Sequence, residues 1–239
     1  HKGGLAQLAY VTALIQAAKA GEVDGMCTAP VSKESISRAG VSFVGHTELL
    51  AEAFGRQVLM LMDGPRLRVA LATNHLAIRD VPNGLSSKGL LSQLRLLDAA
   101  LQPMIGRRPK LAMCALNPHA GEGGLFGDEE HRILIPAIRA AKKGGIDVAG
   151  PLAADGLFAQ SRSLPYDAVL AMFHDQALIA AKMLDFSTTV NVTLGLPIVR
   201  TSPDHGVAYD LSGKNRADPT PMISALLKAA TYTAAARRS

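Results

Sequence analysis

Four histidines stand directly after short apolar runs. His46 lies in Gly45-His46-Thr47-Glu48, and His75 follows Leu71-Ala72-Thr73-Asn74. His119 sits in Asn117-Pro118-His119-Ala120-Gly121-Glu122-Gly123-Gly124, and His174 opens His174-Asp175-Gln176. The apolar runs read as strands, and the exits of neighbouring parallel strands converge in space whatever their separation in sequence. His75, His119 and His174 could therefore share one borderline divalent ion such as zinc, leaving a coordination position open for a substrate. The spacing matches no local zinc motif. Single histidines of this kind are also commonly hydrogen-bonded core or surface groups, and His131 reads as a solvated residue within a helix.

Three further sets have a chemical and a plain reading. The loop Ala120–Gly127 holds four glycines, which let backbone approach a ligand closely, and it leads into a helix N-terminus that favours anions; ordinary surface turns share that composition. The segment His205-Gly206-Val207-Ala208-Tyr209-Asp210, with Gly213 and Asp218, lacks the Gly-x-Gly-x-x-Gly dinucleotide fingerprint. Its two aspartates and histidine could hydrogen-bond an adenosine, or it could be a turn into the last helix. The third set is Lys182, Asn191 and Arg200. An asparagine inside the apolar run Val190–Leu194 is costly to bury unless it is paired or meets a ligand. An arginine suits a bidentate grip on phosphate or carboxylate.

The elements that must position these residues follow from the hydrophobic pattern. Strands are expected near 23–28, 58–62, 67–73, 111–116, 167–173 and 188–194. Helices are expected over 4–20, 33–38, 47–54, 86–104, 128–142 and 174–184, with a final one from about Pro219. Several strands are continuously apolar, as strands buried on both faces are. The reading is an α/β fold with mostly parallel sheets flanked by helices, in two subdomains with a central cleft.

Composition excludes other classes. The chain has 239 residues, 48% of them hydrophobic and 19% charged, too apolar for disorder. No apolar run reaches the roughly 18 residues of a membrane span, and no signal peptide is read. The net charge of +5 is unclustered and there is no Trp for stacking bases, so neither nucleic acid nor membrane is expected as a partner. Cys27 and Cys114 lie inside apolar runs and read as small buried hydrophobes, which suits a cytoplasmic protein.

Seven stretches resemble one family. They are Thr28-Ala29-Pro30 with Lys33; Gly45–Glu48; Leu116–Gly124; Asp155-Gly156-Leu157-Phe158; His174-Asp175-Gln176; Asn191–Pro197; and Arg200-Thr201. In this order they resemble the 4-hydroxythreonine-4-phosphate dehydrogenases of pyridoxal phosphate biosynthesis, over essentially the whole chain. His205–Ile223 is similar to the cofactor loop of isopropylmalate and isocitrate dehydrogenases, which share that family's fold. The family's preceding segment, with a Gly-Asp-Pro-Ala-Gly-type motif, has no counterpart here, so residues 1–239 are expected to be most of such a domain. The resemblance implies NAD-dependent oxidation of 4-phosphohydroxy-L-threonine with decarboxylation to 3-amino-2-oxopropyl phosphate, in a cytoplasmic homodimer with shared active sites. It implies a divalent metal, zinc foremost, with magnesium or cobalt as alternatives, on His75, His119 and His174. His46, Thr47, Lys182, Asn191 and Arg200 would hold the phosphorylated substrate. His205, Gly206, Asp210 and Asp218 would lie against NAD. Lys182, Asp155 and Asp175 are the acid/base candidates, and each aspartate could instead orient a metal-bound histidine. Related branches act on phosphorylated sugar acids or aromatic cis-dihydrodiols. A zinc hydrolase or a non-catalytic binding protein is a more distant reading.

Overall fold

The computed structural model describes residues 2–160 and 164–237. In chain order the elements are α1 (Lys2–Lys19), β1 (Gly25–Cys27), α2 (Lys33–Arg38), α3 (His46–Phe54), β2 (Leu59–Asp63), β3 (Arg68–Leu71), α4 (Val81–Gly84), α5 (Ser87–Ile105), β4 (Lys110–Cys114), α6 (Ile135–Lys143), β5 (Asp147–Leu152), α7 (Ala154–Ala159), β6 (Ala168–Ala171), α8 (His174–Asp185), β7 (Val190–Leu194), β8 (Val199–Pro203) and α9 (Thr220–Ala236). They divide into two compact units, Leu59–Phe186 and a second made of residues 1–58 with 187–239.

In the unit Leu59–Phe186 the strands run in the order β2-β3-β6-β4-β5. All these pairings are parallel except β2 with β3, which are joined by the turn after Asp63. Leu61, Met62, Val69, Ala70, Met113 and Leu170 are wholly buried, which is why these strands carry apolar residues on both faces. Ala177, Leu178 and Ala181 of α8 pack on Met62 and Val169. Helix α5 starts where the Ser86 hydroxyl accepts the Gly89 N–H at 3.1 Å and ends at Gly106 in the left-handed region. Its Leu90, Leu94, Leu97 and Leu101 are buried at three- and four-residue spacing, and each contributes roughly 1.5–3 kcal/mol to holding it.

In the other unit β8 lies between β1, parallel to it, and β7, antiparallel to it. Helix α9 packs on β8 and β1. Helices α1 and α3 bury Val11, Ile15 and Leu50 around Met26 of β1.

The short helices α4 and α7 and the strand β8 are additional to the elements read from the sequence, and two further elements differ from that reading. Strand β5 was not expected, because Gly150 and Pro151 interrupt its pattern; it lies at the end of the strand order, where a proline is tolerated. The helix expected over 128–142 instead opens as a π-helical turn, Glu130–Leu134, before α6. Both cysteines are free thiols, and burial pushes Cys114 up to about 12. Among the described residues no helix is long and apolar enough to cross a membrane.

Candidate active site

In the unit Leu59–Phe186 the parallel pairing sets Leu71 of β3 beside Ala171 of β6, so the chain emerges from both strands at one edge. His75 and His174 follow these exits, with ring centroids 5.9 Å apart and planes inclined by 41°. Two imidazoles on one tetrahedral ion, with metal–nitrogen bonds of about 2.1 Å, place their centroids roughly 5 Å apart. The pair therefore fits a shared ion. Both rings line a cleft of about 260 Å³ with Asn74, Phe173 and Asp175.

The exits are tied together by side chains. Gln176 accepts the Met172 N–H at 2.7 Å and donates to the Ala115 carbonyl at 2.8 Å, joining the ends of β6 and β4. The Thr73 hydroxyl donates to the Met172 carbonyl at 2.7 Å. Asp175 Oδ1 lies 2.7 Å from His174 Nδ1. A carboxylate there favours the proton on Nδ1 and leaves Nε2 with the free lone pair a metal would need. Asp175 and Asp155 also face one groove of about 400 Å³ with Phe158, Gln176 and Ile179. Lys182 lies two turns further along α8, half-buried, its ammonium 6.0 Å from the Phe186 ring centroid.

His119 is placed differently. Among the described residues, no three His, Cys, Asp or Glu side chains gather to hold a metal. The His119 ring lies 6.2 Å from Phe126. Residues 119–123 form a left-handed turn, with φ of 50°, 54°, 80°, 44° and 68°. For the non-glycines His119, Ala120 and Glu122 this costs about 1–2 kcal/mol each. The residue that anchors the loop was missed in the sequence. Glu130, 1% exposed, accepts the Leu116 N–H at 2.9 Å, the Asn117 N–H at 2.8 Å and the Asn117 amide at 2.9 Å. Its signal was an acid three, four and seven residues before Ile133, Leu134 and Ala137, on the face that is otherwise buried.

The second unit assembles another part of the set. Register pairs Asn191 with Ser202 and Thr193 with Arg200, so all four side chains leave one face of β7 and β8. Arg200 is 2% exposed and donates to the hydroxyls of Thr193 at 2.9 Å and Thr28 at 2.7 Å. Arg200 Nε, Asn191 Oδ1 and His46 Nε2 are buried without a hydrogen-bond partner. Thr47 is buried beside His46 at the start of α3. Burial, then the charges of Arg200 and Lys33, pull His46 down to about 4. Burial lowers Arg200 to about 10, so it stays cationic at neutral pH. A buried guanidinium bonded to neutral hydroxyls has donor chemistry that suits an anion.

The His46 environment has a pH consequence. The folded protein keeps this imidazole neutral down to about pH 4, whereas the unfolded chain takes up a proton near 6.5. Its contribution to stability is complete above the unfolded value and is lost as pH falls from 6.5 through about 4. The difference in urea midpoint between the protein and His46→Asn should slope across that window. A pH-independent difference would mean that burial and the neighbouring cations do not keep His46 neutral in the folded protein.

The expected cofactor residues occupy one exposed segment between β8 and α9. His205 Nδ1 lies 2.9 Å from the Gly206 carbonyl, and Asp210 sits in the short turn Tyr209–Leu211. Asp218 Oδ1 accepts the Thr220 N–H at 2.9 Å, and hydrogen bonds from Thr220 hold its carboxyl below the usual range. Asp218 thus satisfies one N–H at the start of α9, in keeping with the reading of this segment as a turn into the last helix.

Largely parallel strands, with chemistry-bearing residues in the segments that follow them, define an α/β protein of the isocitrate dehydrogenase-like fold. The isocitrate dehydrogenase of Methylococcus capsulatus shares it with a TM-score of 0.54 at 16% identity, over 90% of this chain and 70% of that one. The family model described as pyridoxal phosphate biosynthetic protein PdxA matches residues 1–229, and the chain belongs to that family. A 4-hydroxythreonine-4-phosphate dehydrogenase from Geobacter metallireducens is 53% identical over 211 residues, 88% of this chain and 62% of that protein. The crystal structure of the Klebsiella pneumoniae 4-hydroxythreonine-4-phosphate dehydrogenase matches with a TM-score of 0.83 and 37% identity, covering 93% of this chain and 69% of that one. The chain thus spans a little under two thirds of the length of the Geobacter relative.

Proposed function

We propose that these residues belong to an NAD-dependent, metal-assisted dehydrogenase of 4-phosphohydroxy-L-threonine, yielding 3-amino-2-oxopropyl phosphate and carbon dioxide. The observation that carries the reading is that Arg200 Nε, Asn191 Oδ1 and His46 Nε2 are buried without a hydrogen-bond partner. The relatives, 4-hydroxythreonine-4-phosphate dehydrogenases, supply the substrate. Arg200, Asn191, Thr47 and the neutral His46 grip the phosphate end, and the family resemblance makes Lys182 a further substrate residue. His75 and His174 hold a divalent ion, zinc foremost. His119 is the third donor, contributed by the other copy in a homodimer whose sites are shared.

The ion and NAD, when bound, would supply charge stabilisation at the substrate oxygen and a hydride acceptor. Asp175, bonded to His174, orients that imidazole. Asp155 or Lys182 would accept the hydroxyl proton, and NAD, when bound, would supply the acceptor for the hydride, so that the secondary alcohol becomes a ketone. The resulting β-keto acid loses carbon dioxide. The electron pair of the broken carbon–carbon bond stays on the neighbouring carbon, which takes back a proton from the same group. This chemistry belongs to a cytoplasmic protein with a small-molecule substrate.

The direct test is NADH and carbon dioxide formation from 4-phosphohydroxy-L-threonine with zinc added. The absence of both products with full metal loading would remove the reading. Cofactor choice tests the segment 205–218. Asp210 should disfavour the additional phosphate of NADP by like-charge repulsion, so NAD should be preferred at least about tenfold, and Asp210→Ser should narrow that preference. Asp210 is the cleaner probe because Asp218 also satisfies an N–H at the start of α9. Equal kcat/KM with both cofactors in the parent protein would count against the assignment.

A further inference from the structure

We infer that Glu130 is a positioning residue that locks the left-handed turn presenting His119, an inference that rests on the reading of His119 as a metal donor. Glu130 is almost wholly buried, yet its three described hydrogen bonds all come from the neck of the loop: the N–H groups of Leu116 and Asn117 and the Asn117 side-chain amide. The Asn117 amide also donates to Glu129 at 2.8 Å. The glycines fit around this bridge. A side chain on Gly121 would stand 2.8 Å from Glu130 Oε2, and one on Gly127 would stand 2.6 Å from both the Asn117 amide nitrogen and Glu129 Oε2.

Three facts point the same way. A carboxylate buried for packing alone would be replaced to advantage by an apolar residue, so its retention here fits the three donors it satisfies. The π-helical turn Glu130–Leu134 brings the carboxylate inward at this point. Five consecutive residues beginning at His119 hold a left-handed conformation that non-glycines adopt only when their surroundings impose it. The carboxylate spans Leu116 to Asn117 and leaves Pro118 as the sole residue before His119. The direction in which the imidazole departs is therefore set at Glu130, which does not itself touch it.

The test uses the purified protein, zinc alone as the probe, and amide hydrogen exchange as a second readout. Glu130→Ala should lower zinc affinity ten- to a hundredfold, the usual effect of losing a group that orients a ligand. It should also raise exchange at Leu116, Asn117 and through residues 119–127. Glu130→Gln keeps an acceptor oxygen and should recover most of both properties. If the alanine variant does not fold, Asn117→Ala removes one bond of the bridge and should loosen the same segment. Native exchange across residues 116–127 in both variants would overturn the inference. So would native zinc affinity in Glu130→Ala beside a His119→Ala variant that has lost it. If His119→Ala itself binds zinc normally, the metal reading fails instead, and exchange alone then decides whether Glu130 holds the turn.

Discussion

Replacing Arg200 with alanine should lower kcat/KM for the phosphorylated hydroxy acid by roughly thirty- to several-thousand-fold, the equivalent of about 2–5 kcal/mol for truncating one partner of a buried charge pair. The side chain is 2% exposed, and its two terminal nitrogens are steadied by Thr28 and Thr193. Those hydroxyls orient the guanidinium, and the Glu48 carboxylate also acts on its charge. Lysine at this position restores a point charge but cannot bond both threonines while meeting a phosphate, so Arg200→Lys should rescue only partly. Zinc content should not change. The unphosphorylated analogue separates recognition from folding. The parent protein should prefer the phosphorylated acid by at least about a hundredfold, near 2.7 kcal/mol, and Arg200→Ala should erase most of that preference. An equal loss on both substrates would make Arg200 a structural residue. Faster turnover of an aromatic dihydrodiol would keep the dehydrogenase and remove the phosphate.

Loss of a metal ligand should be as severe. His75→Ala and His174→Ala each leave one imidazole of the adjacent pair, and zinc retained after dialysis should fall by orders of magnitude in both. The position of His119 allows a sharper experiment. If its imidazole serves the site of the other copy, His119→Ala and His75→Ala each abolish binding alone but complement one another when mixed. Random reassociation should return roughly a quarter of the sites, because half of the dimers then carry one intact site of two. No recovery after verified subunit exchange would place all three donors within one chain.

Much of this arrangement was legible in the residues. The runs 59–62, 69–71 and Ala168–Ala171 are apolar throughout because both faces of their sheet are covered, and that pattern is legible in the sequence. The histidines after β3 and β6 were placed together by the same logic, since parallel exits lie side by side. Asn191 stood out as a polar residue in an apolar strand, and its Oδ1 is indeed without a partner. What escaped notice depends on contacts between distant residues. Strand β5 is broken in pattern by Gly150 and Pro151 and is recruited by pairing with β4. Glu130 belongs by periodicity to a buried face, and its purpose is visible only once the backbone of Leu116 and Asn117 stands before it. Asp218 was read as a ligand contact, and its carboxylate accepts the Thr220 N–H at the start of α9, a contact visible only once the turn before the helix is formed.

The left-handed turn from His119 to Gly123 also limits how this loop can diverge in evolution. Exchange for glycine, asparagine or aspartate is cheap where φ is positive, while valine, isoleucine or threonine at Ala120 or Glu122 would clash with their own backbone. Length is constrained more tightly than identity. One residue gained or lost between Asn117 and His119 would swing the imidazole by about 100° around the turn, since helical backbone of either hand rotates by that angle per residue. Drift in this loop should therefore proceed by substitution among a few small or polar residue types, and insertions should be displaced to the stretch beyond Gly123.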